Sequence, residues 1–514
     1  MSKNIRHFFL RIFNRMTLTA LLLLVELSWL TALIVGLSHY YIWIAPALTT
    51  VSVLIIADLL RRDNNPAYKL GWILLIALIP LFGWLTYAVF GSKRMSRRMH
   101  RRIRDVEVAH QKEPLLHAPP DEAALPPRFF STTQYLSRYG GSLPQAATDT
   151  VYYPLGDDML PALLDALRQA KRYIFMEYFI ISPGVMLDQL LQVLQAKAAE
   201  GVEVRILYDD FGVRAPELAN FSHDMAKKGI RALPFNPIYP IFSIVVNHRN
   251  HRKVTVIDGE VAFTGGINLA DEYINQKERF GHWKDTGLSL RGAAVQSYVI
   301  AFLNLWNSIR KDDASYACYL PSALPPVVPH APALVQPYFD SPLDEENVGE
   351  NVYLEILAQA EQYVYIFTPY LIIDSEMQTA LCTAAKRGVD VRIVTPGIPD
   401  KKAIYQLTRS YYSVLLKNGV RIYEYTPGFL HAKSFLCDGR IASIGTINLD
   451  YRSLYLHFEC GALLYGGRIM DDLHRDYLQT FARSSEIKSP DFGRARGLWR
   501  GLKEAILRAM APML

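Results

Sequence analysis

Two stretches of the sequence carry a histidine and a lysine at the same short spacing. One reads H-R-K-V-T-V-I-D-G and begins at His251; the other reads H-A-K-S-F-L-C-D-G and begins at His431, 180 residues later. An imidazole is both a nucleophile and a proton carrier, and a lysine ammonium stabilises negative charge that develops in a transition state. Used together, the two copies would supply two imidazoles and two cations, a set that suits the cleavage of a phosphodiester.

Each motif continues with further polar residues at matching distances. The full sets are His251, Lys253, Asp258 and Asn268 in the first copy and His431, Lys433, Asp438 and Asn448 in the second. We treat all eight as candidate catalytic or supporting residues. Asp-Gly is a turn signal, so Asp258 and Asp438 are interpreted mainly as residues that shape the motif. Asn268 and Asn448 have two interpretations, as contacts to phosphoryl oxygens or as caps of the next helices.

The spacing also predicts how these side chains are presented. In an extended H-x-K segment the histidine and the lysine point to the same face, and the apolar run after each lysine continues the strand. The Asp-Gly pair then turns the chain into a second strand. Pseudo-twofold symmetry between the two copies would bring both pairs to one pocket. Since the protein supplies the cations, the chemistry requires no metal and no cofactor.

The elements around the motifs repeat as well. Each half has an apolar strand, then an amphipathic helix that ends at Gly201 or Gly388, then a strand rich in Val and Ile. The matching segments are Lys171–Ile181 with Ala196–Gly212, and Glu361–Ile373 with Ala384–Gly397. This alternation predicts an α/β fold with a mainly parallel sheet. We place a first domain at 146–320, a proline-rich join without regular structure at 321–337, and a second domain at 338–485.

Composition points to a membrane part at the amino terminus. The mean hydropathy is +0.07, and three apolar stretches occupy Thr17–Ser38, Tyr41–Leu60 and Leu70–Phe90. Each is close to the ~20 residues that a helix needs to cross a bilayer. We therefore predict an α-helical membrane module at 1–91 with two or three apolar helices. Pro80 lies at the centre of the third stretch, which leaves open whether that stretch re-enters or the first one is interfacial.

Basic residues come directly after this module. Seven cations lie within Lys93–Arg104, and the positive-inside rule places the rest of the chain in the cytoplasm. We interpret 92–145 as a basic flank and linker, and 486–514 as an amphipathic carboxyl-terminal helix at the membrane or on its own domain. The four cysteines form no Cys-x-x-Cys pair, which argues against a disulfide framework or a zinc site. Cys437, His282 and His457 are interpreted as structural residues.

The duplicated H-x-K motif resembles the signature of the phospholipase D superfamily. The membrane segments, the basic run and the two repeats together resemble bacterial cardiolipin synthases. Two further segments carry this resemblance, Pro66–Gly91 and N-L-D-Y-R-S…H-F-E at Asn448–Glu459. The resemblance implies two phospholipase D-like repeats with pseudo-twofold symmetry.

The family also implies roles for residues in and near the motifs. By this resemblance Asp285 and Glu459 hold the catalytic histidines, His251 is the nucleophile and His431 the acid and base. Many family members carry Ser where this chain has Gly266, and Thr446 holds that place in the second motif.

The implied reaction transfers a phosphatidyl group from one phosphatidylglycerol to another, giving cardiolipin and glycerol through a phosphatidyl-histidine. The alternatives are a hydrolytic phospholipase D and a membrane-bound nuclease of the same superfamily. The expected partners are phosphatidylglycerol and an anionic membrane surface, without nucleic acid, because the densest basic cluster adjoins the membrane segments. The expected location is the bacterial inner membrane, multi-pass, with cytoplasmic catalytic domains. The apolar segment Phe235–Asn250 is expected to wall the pocket against water.

Overall fold

The computed structural model describes most of the chain. The described residues are 24, 28, 38–62, 65–91, 97–110, 127–146, 148–237, 248–323, 334–344, 346–488 and 498–511. They fall into two compact units. One holds the described residues up to 91 together with 498–511, and the other holds those from 97 to 488.

The first unit is helical. Its helices are Ser38–Arg61, Pro66–Leu78, Pro80–Phe90 and Leu498–Met510. A small core of Leu59, Tyr68, Trp72 and Ile76 holds the first three together. In the part of the chain that the structure describes, no helix combines the length and the hydropathy that a membrane crossing requires.

The predicted apolar stretches map onto these helices unevenly. Tyr41–Leu60 lies within one helix, whereas Leu70–Phe90 is divided at Ile79 because Pro80 begins a new helix at a position where its missing N–H costs nothing. Thr17–Ser38 lies almost wholly outside the described residues.

The larger unit contains two sheets of matching topology. The strands of the first sheet are β1 Thr148–Tyr153, β2 Tyr173–Tyr178, β3 Glu203–Asp209, β4 Arg231–Phe235, β5 Val254–Ile257, β6 Val261–Gly265 and β8 Gly287–Gly292. Those of the second sheet are β9 Leu334–Asp340, β10 Tyr363–Phe367, β11 Asp390–Pro396, β12 Arg421–Tyr425, β14 Ser434–Cys437, β15 Ile441–Gly445, β16 Glu459–Tyr465 and β17 Ser484–Ile487. The order of strands across the first sheet is β1-β8-β6-β5-β2-β3-β4, and across the second it is β17-β12-β11-β10-β14-β15-β16-β9. Two short strands, β7 His282–Lys284 and β13 Gly428–Leu430, pair with each other across the halves.

The internal repeat predicted from the sequence is confirmed strand by strand. The parallel strands β2, β3 and β4 correspond to β10, β11 and β12, and the antiparallel set β5, β6, β8 and β1 corresponds to β14, β15, β16 and β9. The expectation of a mainly parallel sheet is wrong. Each motif forms a hairpin through its Asp-Gly turn, and a hairpin places antiparallel strands beside the parallel ones.

Helices cover the sheets. In the first half they are Gly156–Arg168, Val185–Ala199, Phe221–Ala226 and Val295–Ile309, with short 3-10 turns at Pro216–Leu218 and Asp271–Ile274. In the second half they are Val348–Gln359, Ser375–Lys386, Lys402–Lys417, Tyr451–Tyr455 and Ile469–Ala482. Gly201 and Gly388 come after the predicted helices with φ of +91° and +94°, a left-handed conformation that favours glycine.

Two predicted boundaries need correction. Helices Arg97–His110 and Pro127–Tyr139 occupy much of the predicted flank and linker; the first has an apolar side that buries Ile103 and Val106, while 111–126 lies outside the described residues. Strand β9 begins at Leu334, inside the predicted join, and pairs with β16. Its Pro337 is compatible with a strand because β9 is at the edge of the sheet.

Candidate active site

The two H-x-K segments lie directly before strands β5 and β14. Each strand leads into a tight Asp-Gly turn, in which Asp258 and Asp438 have φ of +55° and +52°, and the chain returns as β6 or β15. Left-handed backbone at both central residues is typical of a two-residue hairpin turn. The hairpins predicted from the spacing are therefore present in both halves.

Asp258 joins the first motif hairpin to the start of the neighbouring strand β2. Its carboxylate accepts hydrogen bonds from the backbone N–H groups of Lys171, Arg172 and Tyr173, at 2.8, 2.8 and 2.9 Å. It also lies at the far end of β5 from Lys253. The turn-forming interpretation explains these contacts, and a direct part for Asp258 in the reaction stays a prediction.

Asp438 repeats this arrangement in the second half. Its carboxylate accepts from the N–H groups of Glu361, Gln362 and Tyr363 at 2.9, 2.8 and 2.8 Å. This carboxylate therefore also joins the motif hairpin to the start of the neighbouring strand, and a direct part for Asp438 in the reaction stays a prediction.

Replacing Asp258 with alanine should therefore destabilise the protein without removing its chemistry. We expect a loss of roughly 2–4 kcal/mol, since three N–H donors lose a charged acceptor and alanine is strained at a positive φ. The melting temperature and the activity per folded molecule, measured side by side with Asp438→Ala, separate the two roles. A fully folded variant with little turnover would show that the carboxylate takes part in the reaction.

The two histidines are held by carboxylates from the opposite half. His251 Nδ1 lies 2.9 and 3.0 Å from the two oxygens of Glu459, and His431 Nδ1 lies 2.5 Å from Asp285 Oδ2. Backbone hydrogen bonds also join each histidine to the opposite half. His251 N–H donates to the carbonyl of Phe458 at 2.9 Å, and His431 N–H donates to that of Lys284 at 2.7 Å. The structure thus brings both carboxylates to the histidines, and each half completes the other.

Burial sets the charge states of the histidines. Burial lowers the pKa of His251 to about 3 and holds the pKa of His431 well below its ordinary value. Burial alone would raise the pKa of Glu459, but the hydrogen bonds from His251 and His457 and the charge of Lys253 hold it well below its usual range. At neutral pH the imidazole of His251 is uncharged, which is the state that a nucleophile requires.

The two lysines lie in the same cluster. Lys253 Nζ donates to the carbonyl of His251 at 2.5 Å, and Lys433 Nζ lies 2.7 Å from His431 Nδ1 and also donates to the His431 carbonyl. Their relative exposures are only 2% and 1%, so their charges are directed at this site and not at solvent. Two buried ammonium groups beside two imidazoles suit a phosphodiester anion.

The asparagines are near the motifs but are not helix caps. Asn268 accepts from the N–H of Ile180 at 3.0 Å and donates to the Tyr273 hydroxyl at 2.7 Å, and the helix after Asn448 is capped by Asp450. Asn448 is 5% exposed, and its Oδ1 has no hydrogen-bond partner among the described residues. The cap interpretation is wrong for both, and a phosphoryl contact remains a prediction.

Gly266 and Thr446 occupy the same position of the two motifs, and steric contacts explain why only the second carries a side chain with a hydroxyl group. The Thr446 hydroxyl donates to Glu459 and to the carbonyl of Cys460. In the first half, a Cβ on Gly266 would lie 1.9 Å from Asp285 Oδ1. The shorter carboxylate occupies the space that a hydroxyl side chain would need.

Sequence reasoning missed the aromatic rings around the histidines. The Phe179 ring centroid lies 5.1 Å from that of His251, and the rings of Tyr273 and Trp283 each lie 5.4 Å from His431. Phe179 comes directly after β2, and residues at the carboxyl ends of parallel strands often line a site. This position could have identified Phe179 from the sequence. The predicted wall Phe235–Asn250 lies largely outside the described residues, because 238–247 is not described.

His457 also belongs to the site, contrary to the structural interpretation. Its ring centroid is 5.5 Å from that of His251, and its Nδ1 is 3.7 Å from Glu459 Oε1. Ligand atoms of His251, His457 and Glu459 lie within 4.8 Å of one another, an arrangement able to hold a metal ion. The cluster was invisible in the sequence because its partner, His251, is supplied by the other half. His282, in contrast, lies 3.1 Å from the Tyr425 hydroxyl through its Nδ1, which agrees with a structural role.

Comparisons with known proteins agree with this geometry. The family model described as "Cardiolipin synthase, PLD-like domain" matches residues 163–289 and 353–481, and the model "Phospholipase_D-nuclease N-terminal" matches 50–92. An uncharacterized protein of Streptococcus mutans is 43% identical over 452 residues, covering 86% of this chain and 96% of that protein. A cardiolipin synthase of Geobacillus kaustophilus is 34% identical over 472 residues, covering 91% and 93%.

Among solved structures, a phosphatidylserine synthase of Haemophilus influenzae has a similar fold. It superposes with a TM-score of 0.57 at 15% identity, over 74% of this chain and all of that one. At this identity the likeness concerns the fold alone.

Proposed function

The chain belongs to the cardiolipin synthase family of phospholipase D-like proteins, and we propose that it is a phosphatidyltransferase that joins two phosphatidylglycerol molecules into cardiolipin and glycerol. The observation that carries this proposal is the pair of histidine–carboxylate contacts exchanged between the halves, His251 with Glu459 and His431 with Asp285. Two buried lysines stand beside them. This arrangement offers one imidazole to attack phosphorus and a second to protonate the leaving oxygen.

The proposed reaction exchanges one phosphodiester for another. His251 Nε2 attacks phosphorus while the protonated His431 donates a proton to the departing glycerol oxygen, which leaves a phosphatidyl-histidine and a neutral His431. His431 then takes the proton from a hydroxyl of the second phosphatidylglycerol, whose oxygen attacks phosphorus and releases His251. Bonds of like kind break and form, so no nucleotide is consumed. Lys253 and Lys433 stabilise the charge on the phosphoryl oxygens.

The contacts of the two Nδ1 atoms allow the roles that the family resemblance assigns to the two histidines. His251 Nδ1 faces the carboxylate of Glu459, so it carries the proton and leaves the lone pair on Nε2 for attack. His431 Nδ1 lies 2.5 Å from Asp285, which accepts a hydrogen bond from Nδ1–H and so stabilises the doubly protonated ring. In that imidazolium the second proton is on Nε2, where a general acid needs it, and its transfer to the glycerol oxygen leaves a neutral base for the second step.

Burial of the site favours a lipid acceptor over water. His251 and His431 are 8% and 7% exposed, and aromatic rings pack beside both. Because water competes for the same phosphatidyl-histidine, a dry and apolar surrounding is required for transfer. We propose that the protein works at a bacterial membrane surface, and the multi-pass topology and cytoplasmic orientation stay predictions.

Product analysis tests the proposal. Purified full-length protein is incubated with phosphatidylglycerol vesicles, and lipids and water-soluble products are quantified together. We expect cardiolipin and free glycerol in equal amounts. Phosphatidic acid without cardiolipin would instead identify a hydrolytic phospholipase D, and cleavage of added single-stranded DNA without lipid turnover would identify a nuclease.

The activity should fall as the pH rises through about 7 to 8. Burial lowers the pKa of Lys433 to about 7 and that of Lys253 to about 8, against the raising effect of Asp285 and Glu459. A lysine is charged below its pKa and neutral above it, so alkaline solution removes the cations that stabilise the transition state. The dependence of kcat/KM on pH measures this limb in the free enzyme.

Lys433→Arg is the matched variant for this measurement, because a guanidinium keeps its charge throughout the range. Its alkaline limb should move to higher pH even if its rate is lower. A wild-type profile that stays flat to about pH 10 would show that neither lysine titrates in the working range.

A further inference from the structure

The proposed reaction needs a place for a second anion. The acceptor phosphatidylglycerol carries its own phosphodiester, while the two histidines and two lysines surround the phosphorus of the donor. A cation near the site but outside this set would therefore have a distinct use. The carboxyl edge of the first sheet carries one.

A line of aromatic rings leads from His251 to this cation. Phe179 lies 5.1 Å from the His251 ring, and Lys253 Nζ lies 5.8 Å from the Phe179 ring. The Phe211 ring is next, at 6.5 Å from Phe179. Phe179 and Phe211 come shortly after the parallel strands β2 and β3, whose carboxyl ends meet at one edge of the sheet. Both rings are partly exposed.

Arg214 lies on the last of these rings. Its guanidinium carbon is 3.5 Å from the Phe211 ring centroid, and its Nε donates to the Phe211 carbonyl at 2.7 Å. The side chain is exposed, and it forms no ion pair with any Asp or Glu that the structure describes. Stacking and the carbonyl bond thus fix the guanidinium, and its two terminal NH2 groups form no hydrogen bond or ion pair that the structure describes.

Its neighbour Arg249 is used differently. Arg249 lies 5.2 Å from the same ring but is 2% exposed, and its Nη1 is 3.3 Å from the buried carboxylate of Asp209. Burial and the charge of Arg249 lower the pKa of the Arg214 guanidinium, against the raising effect of the Asp209 carboxylate. Arg249 is paired with Asp209 within 4 Å, and Arg214 is not paired in this way with any residue that the structure describes, so Arg214 is the guanidinium of the two that an anion would reach.

We propose that Arg214 binds the phosphodiester of the acceptor phosphatidylglycerol and so directs the acceptor hydroxyl to the phosphatidyl-histidine. This subsite rests on the proposed function and adds the acceptor's position to it. Phe179 and Phe211 would lie under the glycerol that joins the two phosphates in the product. A planar guanidinium suits a phosphodiester because it donates two parallel hydrogen bonds.

The proposal is tested by comparing two acceptors, phosphatidylglycerol and free glycerol, with phosphatidylglycerol as the donor for both. Full-length protein on phosphatidylglycerol vesicles makes cardiolipin, and with labelled free glycerol it also exchanges label into phosphatidylglycerol. Glycerol carries no phosphate, so its exchange reports the donor site and both chemical steps without the proposed subsite. Arg214→Gln should lower cardiolipin formation about 10- to 100-fold, the effect of losing one charge-assisted contact, and leave glycerol exchange within about twofold.

Arg128→Gln is the matched control. Arg128 also lies over a phenylalanine ring, at 5.1 Å from Phe129, but it pairs with Glu361 at 2.8 Å and belongs to a helix on the second half. It should behave as wild type in both assays, and retained glycerol exchange shows that Arg214→Gln is folded. Equal loss of both reactions, or no loss of cardiolipin formation, would overturn the subsite. Absence of both reactions in the wild type would refute the proposed function instead.

Discussion

Replacing His251 with alanine should abolish cardiolipin formation, by about 1,000-fold or more. The residue is the proposed nucleophile, and the methyl group that remains cannot form a bond to phosphorus. Glycerol exchange and any hydrolysis should disappear with it, since all three pass through the same phosphatidyl-histidine. The measurement is the rate of each product from phosphatidylglycerol vesicles.

His431→Ala should be nearly as damaging to cardiolipin formation, but for a different reason. It leaves the nucleophile and removes the acid that protonates the departing glycerol. A phosphatidyl ester of p-nitrophenol needs no such proton, so release of nitrophenol should survive in His431→Ala and be lost in His251→Ala. His282→Ala, which changes a histidine bonded to Tyr425 outside the cluster, controls for loss of an imidazole as such. Cardiolipin formation above a few per cent of wild type in either variant would contradict the two-histidine mechanism.

Replacing Lys253 or Lys433 with alanine should lower kcat by roughly 100- to 1,000-fold, the usual effect of removing one contact to transition-state charge. Both ammonium groups are buried beside a catalytic histidine and are poorly screened by water. The histidines and their carboxylates remain, so the intermediate should still form, slowly. Single-turnover release of glycerol gives the rate of the first step directly.

Lys227→Ala is the control for the lysine variants. Lys227 is an exposed lysine paired with Asp224 at 3.3 Å, and its loss should leave turnover near wild type. Lys253→Arg should recover part of the rate because it restores the charge with a different shape. Loss of less than about tenfold in both alanine variants would mean that another group stabilises the phosphoryl charge.

The duplicated motif was enough to predict the local structure of the site. The apolar residues after each lysine determine a buried strand, Asp-Gly determines the turn, and the repeat implies two hairpins related by symmetry. Which carboxylate serves which histidine was beyond the sequence. Glu459 is 208 residues from His251, and their contact depends on how the two halves pack, including the pairing of β7 with β13.

Other differences have the same origin in long-range packing. The helix at Arg97–His110 was interpreted as a solvated basic flank, yet its Ile103 and Val106 are buried and His110 stacks on Tyr316 at 3.8 Å. An apolar pair three residues apart is a weak helical signal within a run of arginines. His457 likewise has no partner nearby in sequence, and only the folded chain places it beside His251.

The central claim is that a phosphatidyl group passes through a covalent bond to His251. The direct measurement is mass spectrometry of peptides from His431→Ala protein that has been mixed with the nitrophenyl donor and quenched at short times. The account predicts a phosphatidyl adduct on the peptide that contains His251. In wild-type protein that turns over phosphatidylglycerol, the second step removes this adduct, so it should not be detected there. An adduct confined to another residue, or no adduct while nitrophenol is released stoichiometrically, would contradict it.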